Sequence, residues 1–207
     1  MTSSLSEADK RPTSLRERKK AKTHAAIREH AMRLFLEQGY TATTIEQIAE
    51  AAEVSPSTLF RYFPTKEDLV FRDEFDPLVI GEFQRQPPEL SPVQAFRNAL
   101  RSTIGSLPDD VLQREHDRHR MVAAVPELRA AMLEEYINGI RQIAVLIAER
   151  VGRVADDPTV RALAGAIVGV LMSAALDTME SSADVGLDAF YATLDERLAV
   201  LDAGLPI

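Results

Sequence analysis

Six side chains between positions 55 and 66 have types suited to holding a polyanion: Ser55, Ser57, Thr58, Arg61, Tyr62 and Lys66. Hydroxyls, a guanidinium, a phenol and an ammonium donate hydrogen bonds to phosphate oxygens and base edges, and no bond need be made or broken. Small hydroxyls near a helix start let the backbone approach a groove floor, and Arg61 can reach a guanine edge or a phosphate. Tyr62 and Lys66 suit phosphate, Lys66 with help from a helix N-terminus. Thr43 or Thr44 can do the same a little upstream. Earlier still, Arg16, Arg18, Lys19, Lys20 and Lys22 form a basic segment able to follow a duplex backbone or enter a minor groove.

Catalytic patterns are absent from the sequence. It has no cysteine and no GxSxG, P-loop, dinucleotide or HExxH pattern. Adjacent carboxylates such as Glu134-Glu135 and Asp156-Asp157 point in different directions on a helix and make no acid–base dyad. The expectation is a protein that is not an enzyme, with no cofactor and no metal. His116 and His119 share a helix face at metal-compatible spacing. The arginines around them predict a solvated or salt-bridged face instead. His24 and His30 read as surface or interdomain residues.

The elements that must position the first set are short helices. Ile27, Ala31, Leu34 and Phe35 recur at helical spacing over about 16–38, and Gly39 ends that helix. Thr43 reads as the next N-cap with Glu46 as its capping-box partner, followed by a stripe of Ile45, Ile48, Ala49 and Ala52. Glu53 and Val54 turn the chain. Ser55 caps a third helix with Pro56 at its first position, and Pro64 stops it. Leu59 and Phe63 would pack on Ile48 and Val54, leaving the polar set outward. Thr65 then caps a further helix, with Asp68 complementing its dipole. This is the pattern of a helix-turn-helix, whose second helix can enter the major groove of DNA.

Charge divides the chain in the same place. The net charge is −8, yet residues 1–72 carry 12 basic and 10 acidic side chains, and residues 73–207 carry 12 and 22. A small basic module thus joins a larger acidic body, which the duplex would repel. The predicted organisation is a flexible arm at 1–15, a helix-turn-helix domain at 16–65 and a larger domain at 66–207. Every readable segment of the last part is helical: 66–85, 91–106, 109–124, 127–153, 157–181 and 186–203, with prolines between them. The fold class expected is all-α.

The string Thr44-Ile45-x-x-Ile48-Ala49-x-x-Ala52-x-Val54-Ser55-x-x-Thr58-Leu59-Phe60-x-Tyr62-Phe63-x-x-Lys66-x-x-Leu69 resembles the DNA-binding domain of TetR-family transcriptional regulators. Ala31, Leu34, Phe35 and Gly39-Tyr40 resemble that family's first helix. The likeness covers about residues 20–70. It implies that Thr44, Ser55, Ser57, Thr58, Tyr62 and Lys66 meet DNA. Two positions depart from the pattern. Ser57 stands where a glycine is common, and Phe60 where a tyrosine is common, which removes one hydroxyl. The resemblance also implies a helical ligand-binding domain, a homodimer through the final two helices, and a repressor released from a palindromic operator by a small effector.

For the larger domain the residues themselves give less. Phe71, Phe75, Phe83, Phe96, Leu100, Ile104, Met121, Val125, Tyr136, Ile140 and Ile143 are pocket candidates, each of which could equally be ordinary core. As a group they favour a largely apolar ligand, because few buried charges are on offer. Asn138, Arg141, Ser173 and Asp177 could orient a polar head; Asp177 could instead sit exposed or pair across a dimer seam. Ala162 to Leu176 is uncharged, and at 15 residues is read as a buried helix too short to span a bilayer. Leu187, Phe190, Leu194, Leu198 and Leu201 form a stripe read as the dimer seam. No signal-peptide core occurs at the N-terminus, so a soluble cytoplasmic protein with no membrane partner is expected. The second reading from the residues is an all-α ligand-binding or interaction protein that keeps the helix-turn-helix as scaffold.

Overall fold

The computed structural model describes residues 15–71, 75–180 and 186–205, without the side chains of Phe75 and Glu180. The arm predicted at 1–15 lies outside the described residues apart from Leu15. Among the described residues the regular structure is α-helical, in two units, Met1–Leu69 and Val70–Ile207.

The first unit holds α1 (Leu15–Gln38), α2 (Ile45–Ala51) and α3 (Pro56–Tyr62). Gly39 ends α1 at φ +90°, a conformation glycine adopts without strain. Thr44 rather than Thr43 caps α2. Its hydroxyl accepts from the Gln47 amide, and the Gln47 side chain accepts from the Thr44 amide. Both threonines have a Glu or Gln three residues on, so the sequence pattern alone was degenerate. Burial separates them. Thr43 is buried, and its hydroxyl donates to the Gly39 carbonyl at 2.8 Å. Glu53 carries the turn at φ +52°. Ile27, Phe35, Ile48, Leu59, Phe63 and Leu69 form a core with 2% exposure or less. Burying these side chains contributes roughly 1.5–3 kcal/mol each. The His24 ring lies 4.3 Å from that of Phe63, inside this unit.

The helix expected over 66–85 begins later. Thr65 and Asp68 cap each other reciprocally, and α4 runs Asp68–Phe71. Residues 72–74 lie outside the description, and α5 runs Phe75–Arg85. The second unit continues with α6 (Pro92–Ser106), α7 (Asp109–Ala124), α8 (Pro126–Val151), α9 (Pro158–Glu180) and α10 (Leu187–Asp202). Its core draws on α5, α6, α8, α9 and α10, with Phe83, Ala99, Ile147, Ala164, Ile167 and Leu194 among its members. Polar contacts fix α10 to α6. Arg97 and Arg101 both bond Asp195, and Ser91 and Gln94 both bond Asp202. Burial pushes the Asp195 carboxyl up, but the two arginines outweigh it and hold it below the usual range.

Two expectations fail here. The stripe Leu187, Phe190, Leu194 and Leu198 is buried in the protomer's own unit, with Leu201 packed beside it, so it is not an open seam. An amphipathic helix has one strong apolar stripe, and the bundle itself uses this one. Among the described residues of these two helices, the large apolar side chains left exposed are Met172 and Leu176 on α9 and Val200 on α10. The second concerns length. Pro158–Met179, 22 residues at mean hydropathy 1.8, is long and apolar enough to cross a membrane by composition. That stretch exceeds the uncharged run because it includes Arg161 and Asp177. In this fold its inner side, Val160, Ala164, Ile167, Val168 and Ala174, is buried in the bundle.

Candidate nucleic-acid interface and interior cavity

The outward face of α3 follows from its inward one. Leu59 and Phe63 are fully buried, which turns Ser55, Ser57, Phe60 and Arg61 to solvent and leaves Thr58 and Tyr62 half-buried. The Ser55 hydroxyl accepts from the Thr58 amide at 3.1 Å, giving the helix its N-cap. It also bonds the hydroxyls of Ser57 and Thr58, at 3.0 and 2.9 Å. Three hydroxyls are thus gathered at the N-terminus of one short helix. The Arg61 guanidinium lies 5.7 Å from the centre of the Tyr62 ring, so the two long side chains stand together. Phe60, at 47% exposure, adds an apolar ring to the same surface. Thr44 is exposed at the start of α2.

Lys66 is placed differently from a side chain extended towards phosphate. Its ammonium donates to the Tyr40 carbonyl and lies 4.1 Å from the centre of the Tyr40 ring. Arg16, Arg18, Lys19, Lys20 and Lys22 are exposed and helical, on the first turns of α1 rather than on an extended arm. At 3.6 residues per turn, Arg16, Lys19 and Lys20 share one side, and Arg18 and Lys22 another. Cations at a helix N-terminus oppose the helix dipole.

The second unit contains a partly open cavity of about 270 Å³. Of the pocket candidates, Phe71, Phe83, Phe96, Leu100, Tyr136 and Ile143 line it, together with Val79, Val122, Val168 and Leu171. Burial pushes the Tyr136 phenol up to about 12. Met121 is buried off its wall, Ile140 packs against the core, and Val125 caps the α7 end. Ile104 is also absent from the wall. The Phe75 side chain lies outside the described residues. Asp177 faces away from the cavity, paired with Arg197 of α10, which also bonds Ser173 at 2.5 Å. Asn138 accepts from Arg141 at 3.1 Å, and neither lines the wall.

The polar side of the cavity comes from the stretch expected to be a solvated or salt-bridged face, and it is salt-bridged. Glu115, Arg118 and His119 all line it. The Arg118 Nε donates to both oxygens of Glu115, at 3.1 and 3.0 Å, and its Nη2 bonds Oε1 as well. His119 Nε2 lies 3.2 Å from Glu115 Oε1. Burial pushes the Glu115 carboxyl up, but Arg118 and His119 outweigh it and hold it well below the usual carboxylate range. The His119 ring meets Phe190 edge-on at 4.9 Å, and Phe190 meets Tyr191 at 5.2 Å. Asp76 and Glu135 add further carboxylates to the wall. The sequence did carry a signal. Leu112, Glu115, His119 and Val122 fall on one helical stripe, so two polar residues occupy inward positions.

Residues 27–72 match the family model of bacterial regulatory proteins of the tetR family, and residues 90–206 match that of the MftR C-terminal domain. The HTH-type transcriptional regulator TcmR of Streptomyces glaucescens is 34% identical over 150 residues, covering 69% of this chain and 66% of that protein. Solved structures share the fold. One is FadR of Thermus thermophilus, a TetR-family transcriptional repressor in complex with lauroyl-CoA. It aligns at TM-score 0.55 and 23% identity over 89% of this chain and 95% of its own. Another is a TetR transcriptional regulator from Rhodococcus sp. RHA1, at TM-score 0.52 and 20% identity over 90% and 98%.

Proposed function

The chain belongs to the TetR family of DNA-binding, ligand-responsive regulators, and from that premise we propose that it is a homodimeric repressor released from a pseudo-palindromic operator by a small, largely apolar effector. The observation that carries the reading is the surface of α3. A fully buried Leu59 and Phe63 hold three clustered hydroxyls, Arg61 and Tyr62 on one outward edge. In this reading Ser55, Ser57, Thr58 and Arg61 face the major groove. Thr44, Tyr62, Lys66, Arg18, Lys19 and Lys20 hold phosphates. The effector occupies the cavity of the second unit, with Phe96, Leu100 and Tyr136 among its contacts, and favours a conformer that binds operator less well. The chain joins the two functions directly, because α4, capped by Thr65, also carries the cavity residue Phe71.

The dimer is proposed to form through α9 and α10, which carry the exposed Met172, Leu176 and Val200 and the Arg197–Asp177 pair. Gly165 and Gly169 leave open space on α9 for a close approach. Covering this side would also bury the outer face of the apolar helix Pro158–Met179.

A gel shift with genomic fragments tests the reading. At moderate salt some fragment should bind at least about a thousandfold more tightly than random DNA. If no fragment is preferred, the helix-turn-helix is scaffold only and the protein is a helical ligand-binding or interaction protein.

A further inference from the structure

The side of α3 that holds Ser57 and Arg61 also holds Phe60. Phe60 and Arg61 follow Ser57 by three and four residues, so a hydroxyl, a phenyl ring and a guanidinium share one side of the helix. Phe60 is 47% exposed, whereas Phe63, three residues on, is fully buried. Single exposed apolar side chains are common on protein surfaces, and exposure alone assigns nothing. Place and chemistry do. Among the described residues of the first unit, the other large apolar side chains left exposed, Leu15 and Leu36, lie on α1. Phe60 is the one that a major groove would cover when α3 enters it. A phenyl ring has neither donor nor acceptor, so it offers nothing to a phosphate oxygen or to the polar edge of a base. The apolar group that the major groove presents is the 5-methyl of thymine. Cytosine lacks that methyl and presents an amino donor, which a covering ring would cut off from water without replacing its hydrogen bond.

We infer that Phe60 is a specificity-determining residue whose ring packs on a thymine methyl in each operator half-site, a role that rests on α3 entering the major groove. Ser57 and Arg61 serve polar groups on the same side of the helix. Phe60 adds a preference for thymine over cytosine that does not depend on a hydrogen bond.

Uracil scanning of the operator selected by gel shift tests this with the full chain. Replacing thymine by uracil removes one methyl and keeps every base-pairing group. Affinities are measured by fluorescence anisotropy at one fixed salt concentration. At one thymine position, uracil in both half-sites should weaken binding by about fourfold per half-site, the worth of one buried methyl group. Phe60→Ala should lose at least as much on the thymine operator and lose nothing further on the uracil operator. Arg61→Ala should bind more weakly overall yet keep the full uracil penalty, because its contact is a separate one. Phe60→Gln keeps much of the bulk without the apolar ring and serves the same cycle if Phe60→Ala does not fold. Uracil that weakens binding at no position, or that weakens the unsubstituted protein and the Phe60 variant equally, overturns the inference. So does an Arg61→Ala protein that has lost its uracil penalty. The outcomes also separate the two readings. If no fragment is preferred in the gel shift, the DNA reading fails and takes this role of Phe60 with it. If an operator is bound but its uracil penalty does not depend on Phe60, the DNA reading stands and the role of Phe60 alone fails.

Discussion

The two units use polar side chains in opposite directions. Among the described residues of the first, Thr43 is the buried polar side chain, its hydroxyl satisfied by a neighbouring carbonyl, and the hydroxyls of α3, Arg61 and the cations at the start of α1 face outward. In the second, a carboxylate, a guanidinium and an imidazole are turned into a cavity among aromatic rings. The first arrangement suits a large, strongly hydrated polyanion that stays outside the protein. The second suits a small molecule that must leave water to be recognised. A hydrogen bond on the outer surface competes with water and contributes modestly. The same bond inside has no such competitor, and leaving it unmade costs far more.

The contrast breaks most visibly at helices α9 and α10. Leu194→Asp places a charge at a site with no exposure and should cost about 4 kcal/mol or more, unfolding the second unit. Leu176→Asp, at an exposed site on the proposed seam, should leave helicity and melting intact and yield a monomer in light scattering. A Leu176→Asp variant that stayed dimeric would remove the seam from that face.

Next in size is the buried pair. Glu115→Ala removes a buried carboxylate from both Arg118 and His119 and should lower stability, read as a lower midpoint in denaturant titration. The pair also sets a pH dependence. The folded carboxyl is held below its usual range, whereas in the unfolded chain it titrates near about 4.3. Its contribution is therefore present at neutral pH and declines as pH falls through the carboxylate range, where the unfolded state binds more protons. Glu115→Gln should make that acid-side decline shallower; an unchanged slope would contradict the assignment.

Surface changes in the first unit should affect binding more than folding. Arg61→Ala should weaken operator affinity by about 1–3 kcal/mol with little change in melting, and relax preference at one base position if Arg61 reads a base edge. The smallest effect expected is that of Ser55→Ala. Losing the cap on Thr58 should cost the first unit about 1 kcal/mol, visible as a lower melting temperature.

What was legible in the sequence follows the same division. Leu59 and Phe63 have helical spacing that fixes the outward face of α3, and Ser55-Pro56 marks its start unambiguously. Thr43 and Thr44 were interchangeable on pattern, and only burial distinguished them. In the second unit, charge was a poor guide to exposure. Arg114 to Arg120 reads as a solvated or salt-bridged face because charged side chains usually stand in water or in pairs. The inward position of Glu115 becomes visible only when Leu112 and Val122 are placed on the same face. The stripe ending at Leu201 was correctly apolar and assigned to the wrong neighbour. A sequence shows that a stripe must be covered, but not whether its own chain or a second copy covers it. Asp177, conspicuous after an uncharged run, pairs outward with Arg197, twenty residues away on another helix.

Footprinting of the selected operator by hydroxyl-radical cleavage tests the central claim most directly. Two copies of α3 in a symmetric dimer should protect two inverted half-sites centred about one DNA turn, or a multiple of it, apart, roughly 34–36 Å per turn, on one face of the duplex. A single protected half-site, or protection spread evenly with no inverted repeat, would contradict a dimer that reads DNA through the Ser55–Tyr62 surface.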